Sequence, residues 1–435
     1  MNVLLLLASL IHFSTLFYGH CITNNIQLGS ETMLSVPAGL YITGVVERAF
    51  VLETSQSVPN FRAGLIFEAT EDKYVCSLEV FLGNFKVWSS SHSSRFFTSQ
   101  KCVLSLTRDG DLQLTGHNGV IGWRTATHGQ GIERLQLSNT GNLVLVDKFD
   151  MIKWQSFHFP TNVMLWGQTL DVGTKLTSLP TNSNSFYSFE IHREKLALYL
   201  NSENFKYSYW EFIPTKSQKI SFIRLASDGL QLINDDNHKI AQIPSKRLQL
   251  LRFLAVENTT GNLGLYYYST TTTKFETSFQ ALRNKCDQPN ICKDNDICAL
   301  SKECSSLEIE GFSSNFCGGR RVDMREIRGA TSILKDENKK MVNMTRETCA
   351  GSCMDDCTCV GALFTSGNSE CYLYGEVRGV KEVDDHDEEV SFMVKVLKKG
   401  SGLKRWALIL IVVSDGLVLF VCLGGLSFYM LRRRR

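Results

Sequence analysis

Between residues 100 and 280 the apolar positions alternate on either side of short, glycine-bearing turns. Leu104 and Leu106 precede Asp109-Gly110, and Leu112 and Leu114 follow it. Leu135 and Leu137 precede Thr140-Gly141, and Leu143 and Leu145 follow. Ile223 and Leu225 lead into Asp228-Gly229, with Leu230 and Leu232 beyond it. Near Thr260-Gly261 the pattern recurs with Leu263 and Leu265, although the first arm slips by one residue. Period-two alternation on both sides of such a turn predicts β-hairpins. The turn glycines lie 31 and 32 residues apart within each pair; Trp123 and Trp154 are also 31 apart, and Trp88 lies 35 before them. A repeat of this length predicts a small-sheet unit that buries its apolar face only against sister units. On this reading Trp88, Trp123 and Trp154 are core residues, and the two pairs of hairpins imply two such domains in tandem.

The two ends carry a different pattern. Met1 to Tyr18 is apolar and has no charged side chain, with Gly19 and Cys21 at −3 and −1 of a signal-peptide cleavage site. No Lys or Arg precedes the run, and a buried N-terminal helix is the bland alternative. Residues 406–431 are apolar except for Ser414-Asp415-Gly416. As helix they would extend about 39 Å, against a hydrocarbon core of ~30 Å. Asp415 near the middle costs roughly 2.5–3.5 kcal/mol on insertion scales, which the surrounding Leu, Ile, Val and Phe outweigh. Arg432 to Arg435 then suit a cytosolic stop, whereas a lipid-anchor signal should end apolar. These ends predict a single-pass plasma-membrane protein with its N-terminus extracellular.

Charge and cysteine narrow the class. A net charge of +2 with interspersed signs gives no nucleic-acid footprint. Of 14 cysteines, Cys21 falls in the signal segment and Cys422 in the apolar C-terminal run. The other twelve suit an oxidising compartment: Cys76, Cys102, Cys286, Cys292, Cys298, Cys304, Cys317, Cys349, Cys353, Cys357, Cys359 and Cys371. Ten of these crowd between Cys286 and Cys371, so that stretch is stapled while the earlier one relies on a core. Zinc is the competing explanation, but Cys357-Thr-Cys359 is too tight for the common ligand knuckle.

The motifs themselves resemble a known family. Lys153-Trp-Gln-Ser-Phe-His-Phe-Pro-Thr-Asn162, then Gly167-Gln168, resembles the end of the bulb-type lectin domain of plant S-receptor-like proteins (the G-type, lectin/PAN receptors), and Gly141-Asn-Leu-Val-Leu-Val-Asp147 resembles its strand signature. Cys286-Asp-Gln-Pro, Cys292, Asn295-Asp-Ile-Cys298 and Cys304 resemble the short EGF-like segment that follows in that family. Glu347-Thr-Cys349, Cys353, Cys357-Thr-Cys359, Gly361-Ala362 and Cys371-Tyr-Leu-Tyr resemble its PAN/apple domain. The resemblance implies a mainly β protein: tandem β-prisms of three sheets each, an EGF-like segment, an α+β PAN domain with a helix on a sheet, and one transmembrane helix. The expected boundaries are a signal peptide at 1–21, a bulb-type lectin-like domain at 22–162, and a second, S-locus-glycoprotein-like lectin domain at 163–282. An EGF-like segment at 286–304, a PAN domain at 317–396, a membrane helix at 406–431 and a tail at 432–435 complete the order. The family analogy pairs Cys349 with Cys371, Cys353 with Cys359, Cys317 with Cys357, Cys286 with Cys298, Cys292 with Cys304, and Cys76 with Cys102. Many relatives continue into a Ser/Thr kinase; this chain stops at Arg435, so it is read as a member lacking that domain.

The sugar motif is degraded. Mannose-binding members carry Gln-x-Asp-x-Asn-x-Val-x-Tyr along a strand, whose polar side chains bond sugar hydroxyls. The aligned positions are Thr107, Asp109, Asp111, Gln113 and Thr115, then Ser138, Thr140, Asn142, Val144 and Val146 in the next hairpin. Asp109, Asp111, Asn142 and Val144 are the remaining carbohydrate-binding candidates; Asp109 and Asn142 also read as simple turn residues. Asn258-Thr-Thr260 and Asn343-Met-Thr345 are glycosylation acceptors. Asp415 has two open readings: docking to a basic helix of a receptor-kinase partner, or a tolerated carboxyl beside Gly416. The acids of 382–389 lack EF-hand spacing and read as a solvated loop. No catalytic motif, metal-ligand spacing or cofactor signature occurs. The expected function is a kinase-less cell-surface co-receptor or decoy for an extracellular protein or glycan. The rivals are a working lectin of the cell surface or wall, and a structural wall glycoprotein.

Overall fold

A computed structural model describes residues 24–36, 44, 46–55, 58–70, 73–180, 185–203, 205–214, 218–246, 249–307, 316, 322–336, 339–383, 390–398 and 405–433. The chain divides into two compact units, residues 1–292 with 333–337, and residues 293–332 with 338–435. The expected signal segment (1–21), Cys317 and residues 384–389 lie outside the described residues.

The first unit consists of antiparallel sheets, and each of the four predicted hairpins lies at the centre of one of them. Lys101–Leu106 and Leu112–Thr115 pair through Leu104↔Leu114 and Leu106↔Leu112. Ile132–Leu137 and Leu143–Asp147 pair through Leu135↔Leu145. Each hairpin recruits an outer strand on either side, giving the orders Ile121–Arg124, Leu112–Thr115, Lys101–Leu106, Glu31–Ser35 and Asn25–Gln27, Ile132–Leu137, Leu143–Asp147, Ile152–Gln155. A third sheet runs Val46–Glu53, Phe61–Ala69, Tyr74–Leu82, Phe85–Ser89, with Phe96–Thr98 also on Tyr74–Leu82. Alternate leucines of these sheets meet in one core with Leu65, Leu78, Leu114, Leu135 and Leu145, all without solvent exposure. Each such side chain contributes roughly 1.5–3 kcal/mol. Cys76–Cys102 ties the third sheet to the first.

The arrangement recurs between residues 163 and 280. Three four-stranded sheets are centred on the hairpins Leu251–Val256 with Leu263–Ser269, Phe222–Ala226 with Gly229–Ile233, and Phe186–Ile191 with Leu196–Asn201.

The second unit packs the helix Arg346–Asp355 on a five-stranded sheet ordered Val322–Ile327, Val390–Leu397, Gly361–Thr365, Glu370–Tyr374, Lys340–Val342. Thr345 caps the helix by accepting from Thr348 N, with the reciprocal bond from Thr345 N to Thr348 Oγ1 completing a capping box. Cys349 and Cys353, one turn apart, both bury and bond to Cys371 and Cys359. Cys286, Cys292, Cys298, Cys304 and Cys357 are also disulfide-bonded. The expected EGF-like stretch has no sheet to itself: Asp296–Cys298 and Cys304–Ser306 join Val380–Glu382 and Ala330–Ser332, with Ile297 opposite Val380 in a parallel pairing. Its two strands of three residues each hold too few apolar side chains to cover a separate sheet, so the stretch borrows a neighbour's edge.

Arg405–Arg433 forms a single 29-residue helix. The side chains of residues 405–412 and of Asp415, Phe428 and Leu431 lie outside the described residues. Among the described residues, no helix is long and apolar enough to cross a membrane.

Candidate functional site

The degraded sugar motif lies on two turns, each followed by a buried polar side chain, Asp111 and Asn142. Gly110, at φ +89°, ends the Asp109-Gly110 turn, and the next residue, Asp111, is completely buried. Asp111 Oδ1 accepts from Thr125 Oγ1 at 3.0 Å and Thr127 N at 3.1 Å, while Oδ2 accepts from Gln113 Nε2 at 3.0 Å. Burial is the largest single influence on its carboxyl and opposes ionisation, but those hydrogen bonds together outweigh it and hold the pKa below its ordinary value.

Asn142 occupies the matching place after Gly141. Its Oδ1 accepts from Ser156 Oγ and Phe157 N, both at 3.2 Å, and its Nδ2 donates to Gln155 Oε1 at 2.7 Å. A third copy follows Gly261: Asn262 Nδ2 donates to Leu282 O and its Oδ1 accepts from Leu282 N, both at 2.9 Å. Each latch ties a turn to the chain just beyond the third strand, closing a three-stranded unit. Thr107 and Ser138, at the two motif positions for Gln, also bond within their turns, to Asp111 N at 2.9 Å and Asn142 N at 3.1 Å. Val144 is buried, and Asp109 is exposed with a hydrogen bond from Thr107 Oγ1. Asn258 and Asn343 are exposed; Asn258 Oδ1 accepts from Leu179 N at 3.0 Å.

A sizeable concavity lies elsewhere. Trp88, Trp123 and Trp154 each come from an outer strand of a different sheet of the first three. Their rings meet edge-to-face with centroids 5.9–6.2 Å apart, the preferred geometry for aromatic quadrupoles. Trp88 Nε1 donates to Phe159 O at 2.9 Å, satisfying the indole. The three rings thus serve as core, and on their outer side they also floor a cavity of about 650 Å³. Its walls include Ser90, His92, Arg124, Phe159, Thr174 and Lys175. Phe159 stacks on Trp154 at 5.8 Å yet remains 55% exposed. His92 meets Thr177 Oγ1 at 3.0 Å; burial, aided by Lys86 and opposed by hydrogen bonding at Thr177, lowers its pKa and keeps the ring neutral at physiological pH. The tryptophan spacing marked the three rings as core and gave no sign of a floor; the walls combine strand ends at Arg124 and Lys175 with the turn and loop residues Ser90, His92 and Phe159. The latches did leave a signal: a polar residue directly after each turn glycine, in Gly110-Asp111, Gly141-Asn142 and Gly261-Asn262.

Residues 86–185 match the model of the D-mannose binding lectin family, and residues 324–394 match that of the PAN-like domain. The chain carries both modules. A PAN domain-containing protein of Arabidopsis thaliana is 25% identical to this lectin–PAN chain, over 75% of the chain and 71% of that protein. A G-type lectin S-receptor-like serine/threonine-protein kinase of the same plant is 23% identical over 73% of the chain, which spans only 41% of that kinase. EP1-like glycoprotein 4 of Arabidopsis thaliana is 25% identical over 80% of the chain and 86% of its own length. The resemblance to the S-receptor-like family therefore holds across both modules.

Proposed function

We propose that this lectin–PAN chain is a cell-surface recognition protein that binds an extracellular protein or glycan and acts without catalysis, as a co-receptor or decoy. The observation that carries it is the pairing of a lectin-type and a PAN-like module on one chain, with the polar side chains of the lectin motif spent on internal latches. A shallow sugar site has few other directional bonds to offer, so ordinary mannose binding is not the function assigned. In this reading residues 22–162 and 163–282 are tandem lectin-like domains, 286–304 the EGF-like segment and 317–396 the PAN domain. Residues 1–21 are the signal peptide, 406–431 the plasma-membrane anchor and 432–435 the tail. The apolar run of residues 406–431 and the arginines that follow it support the anchor. Asp415 would then contact a basic helix of a receptor-kinase partner. Exposure of Asn258 and Asn343 supports their glycosylation.

A tagged full chain expressed on plant cells tests this. An N-terminal tag after residue 21 should be stained without permeabilising the cells, and a glycan array should show no binding that free mannose competes away. Partner co-purification should fall for Asp415→Asn. Mannose-competable binding would establish the rival reading as a lectin; an inaccessible tag would remove the cell-surface role.

A further inference from the structure

We infer that the tryptophan-floored cavity is a binding site for an acidic oligosaccharide, such as a short uronate chain. The inference rests on the reading of the chain as an extracellular recognition protein, and gives that recognition a site and a ligand class. The whole cavity lies inside the first unit, so its geometry belongs to one compact body.

Four properties select the ligand. At about 650 Å³ the space falls within the range of small-ligand sites. Its lining contains Arg124 and Lys175 and no carboxylate, and neither cation forms an ion pair among the described residues. Two uncompensated positive charges over a partly apolar floor favour an anion. Ser90 and Thr174 add hydroxyls that donate or accept as a sugar hydroxyl requires. Phe159 offers exposed ring surface beside them, against which the C–H face of a pyranose packs. Neutral sugars leave the cations unused, and a bare inorganic anion leaves the aromatic surface unused. A sugar bearing carboxylates uses both. The three tryptophans beneath supply an intrinsic reporter.

The test uses the full chain in detergent and fluorescein-labelled trigalacturonate, with binding read by anisotropy and by tryptophan quenching. Binding should occur and should weaken about tenfold when the trimer is fully methyl-esterified, since esterification removes the charge but keeps the ring. The Arg124→Gln/Lys175→Gln variant should bind the acid about tenfold more weakly and the ester unchanged. Phe159→Ala should weaken both ligands. All these positions are on the cavity rim, and thermal unfolding checks that the variants remain folded. No binding, equal affinity for acid and ester, or an unaltered double variant would overturn the assignment. Competition by inorganic phosphate as strong as that by the unlabelled trimer would also overturn it, in favour of a simple anion site. A chain that ignores acidic sugars yet is displayed on the cell surface with a partner dependent on Asp415 overturns this assignment alone.

Discussion

The two units solve the same problem, covering small antiparallel sheets, with different materials. In the lectin-like unit, sheets cover one another: one cluster of buried side chains runs from Leu52 to Ala255, with Cys76 and Cys102 as its cysteines among the described residues. In the PAN unit the helix–sheet cluster has seven buried members, of which four are Cys349, Cys353, Cys359 and Cys371. Sulfur there replaces apolar side chains that a short, largely polar helix lacks; Arg346–Asp355 buries only its two cysteines. Small domains need such staples because their surface is large relative to their core.

Removing one disulfide from each unit tests this contrast most severely. Cys76–Cys102 and Cys349–Cys371 close loops of similar length, with separations of 26 and 22 residues. Chain entropy alone therefore gives each about 3 kcal/mol. Cys349→Ala/Cys371→Ala also empties part of a sulfur-built core, so a total loss of about 3–5 kcal/mol is expected. Hydrogen exchange should then show loss of protection in Gly361–Thr365 and Glu370–Tyr374. Cys76→Ala/Cys102→Ala should lower the unfolding midpoint of the lectin-like unit while Leu143–Asp147 stays protected. Equal loss of protection in both variants would erase the distinction.

A glycine substitution sharpens the other side of the comparison. Gly141 has φ +83°, and a Cβ there would stand 2.4 Å from the Phe61 ring and 2.8 Å from Leu165. Gly141→Ala should cost about 2–4 kcal/mol, from left-handed backbone strain plus overpacking. Gly129, at φ +73° with open space around it, should cost only about 1–2 kcal/mol on substitution by alanine. Chemical denaturation of both variants measures the difference; equal costs would mean that turn strain, rather than sheet-on-sheet packing, governs this unit.

How much was legible follows the same division. Alternating leucines around Gly110, Gly141, Gly229 and Gly261 marked the hairpins because period two and a turn are local signals. The 31-residue tryptophan spacing marked a shared centre because each ring is offered by an equivalent strand. The cysteine crowding marked the stapled region. Contacts between distant segments stayed hidden. Ile297 pairs with Val380 across 83 residues, and no local pattern announces a borrowed strand edge. Lys395 is another case: Val394-Lys395-Val396 reads as a polar residue facing solvent, yet Lys395 is fully buried. Its Nζ donates to Asp356 O at 2.7 Å and lies 5.3 Å from the Phe316 ring. Burial lowers its pKa, while Asp356 and Asp355 oppose that shift. The cavity walls were equally silent, since Phe159 and Lys175 sit outside any repeat.

The smallest effect concerns the latches that replaced the sugar site. Asp111 accepts from Gln113, Thr125 and Thr127, so Asp111→Asn sets an amide donor against at least one of these donors. The expected cost is about 1–3 kcal/mol. Because the folded carboxyl titrates below its ordinary 3.8, its contribution is present above that value and is lost as pH falls through the lower folded value. The wild-type chain should therefore lose stability steeply below about pH 4, and the Asn variant, with no proton to take up at this site, should follow a shallower acid limb. Asn142→Asp provides the converse arm. Its new carboxylate keeps the acceptor for Ser156 and Phe157 but loses the Nδ2 donor to Gln155, so it should acquire acid sensitivity at a cost at neutral pH. Parallel acid limbs for the wild type and Asp111→Asn would show that the carboxylate does not act as a latch and would restore it as a free candidate for a ligand.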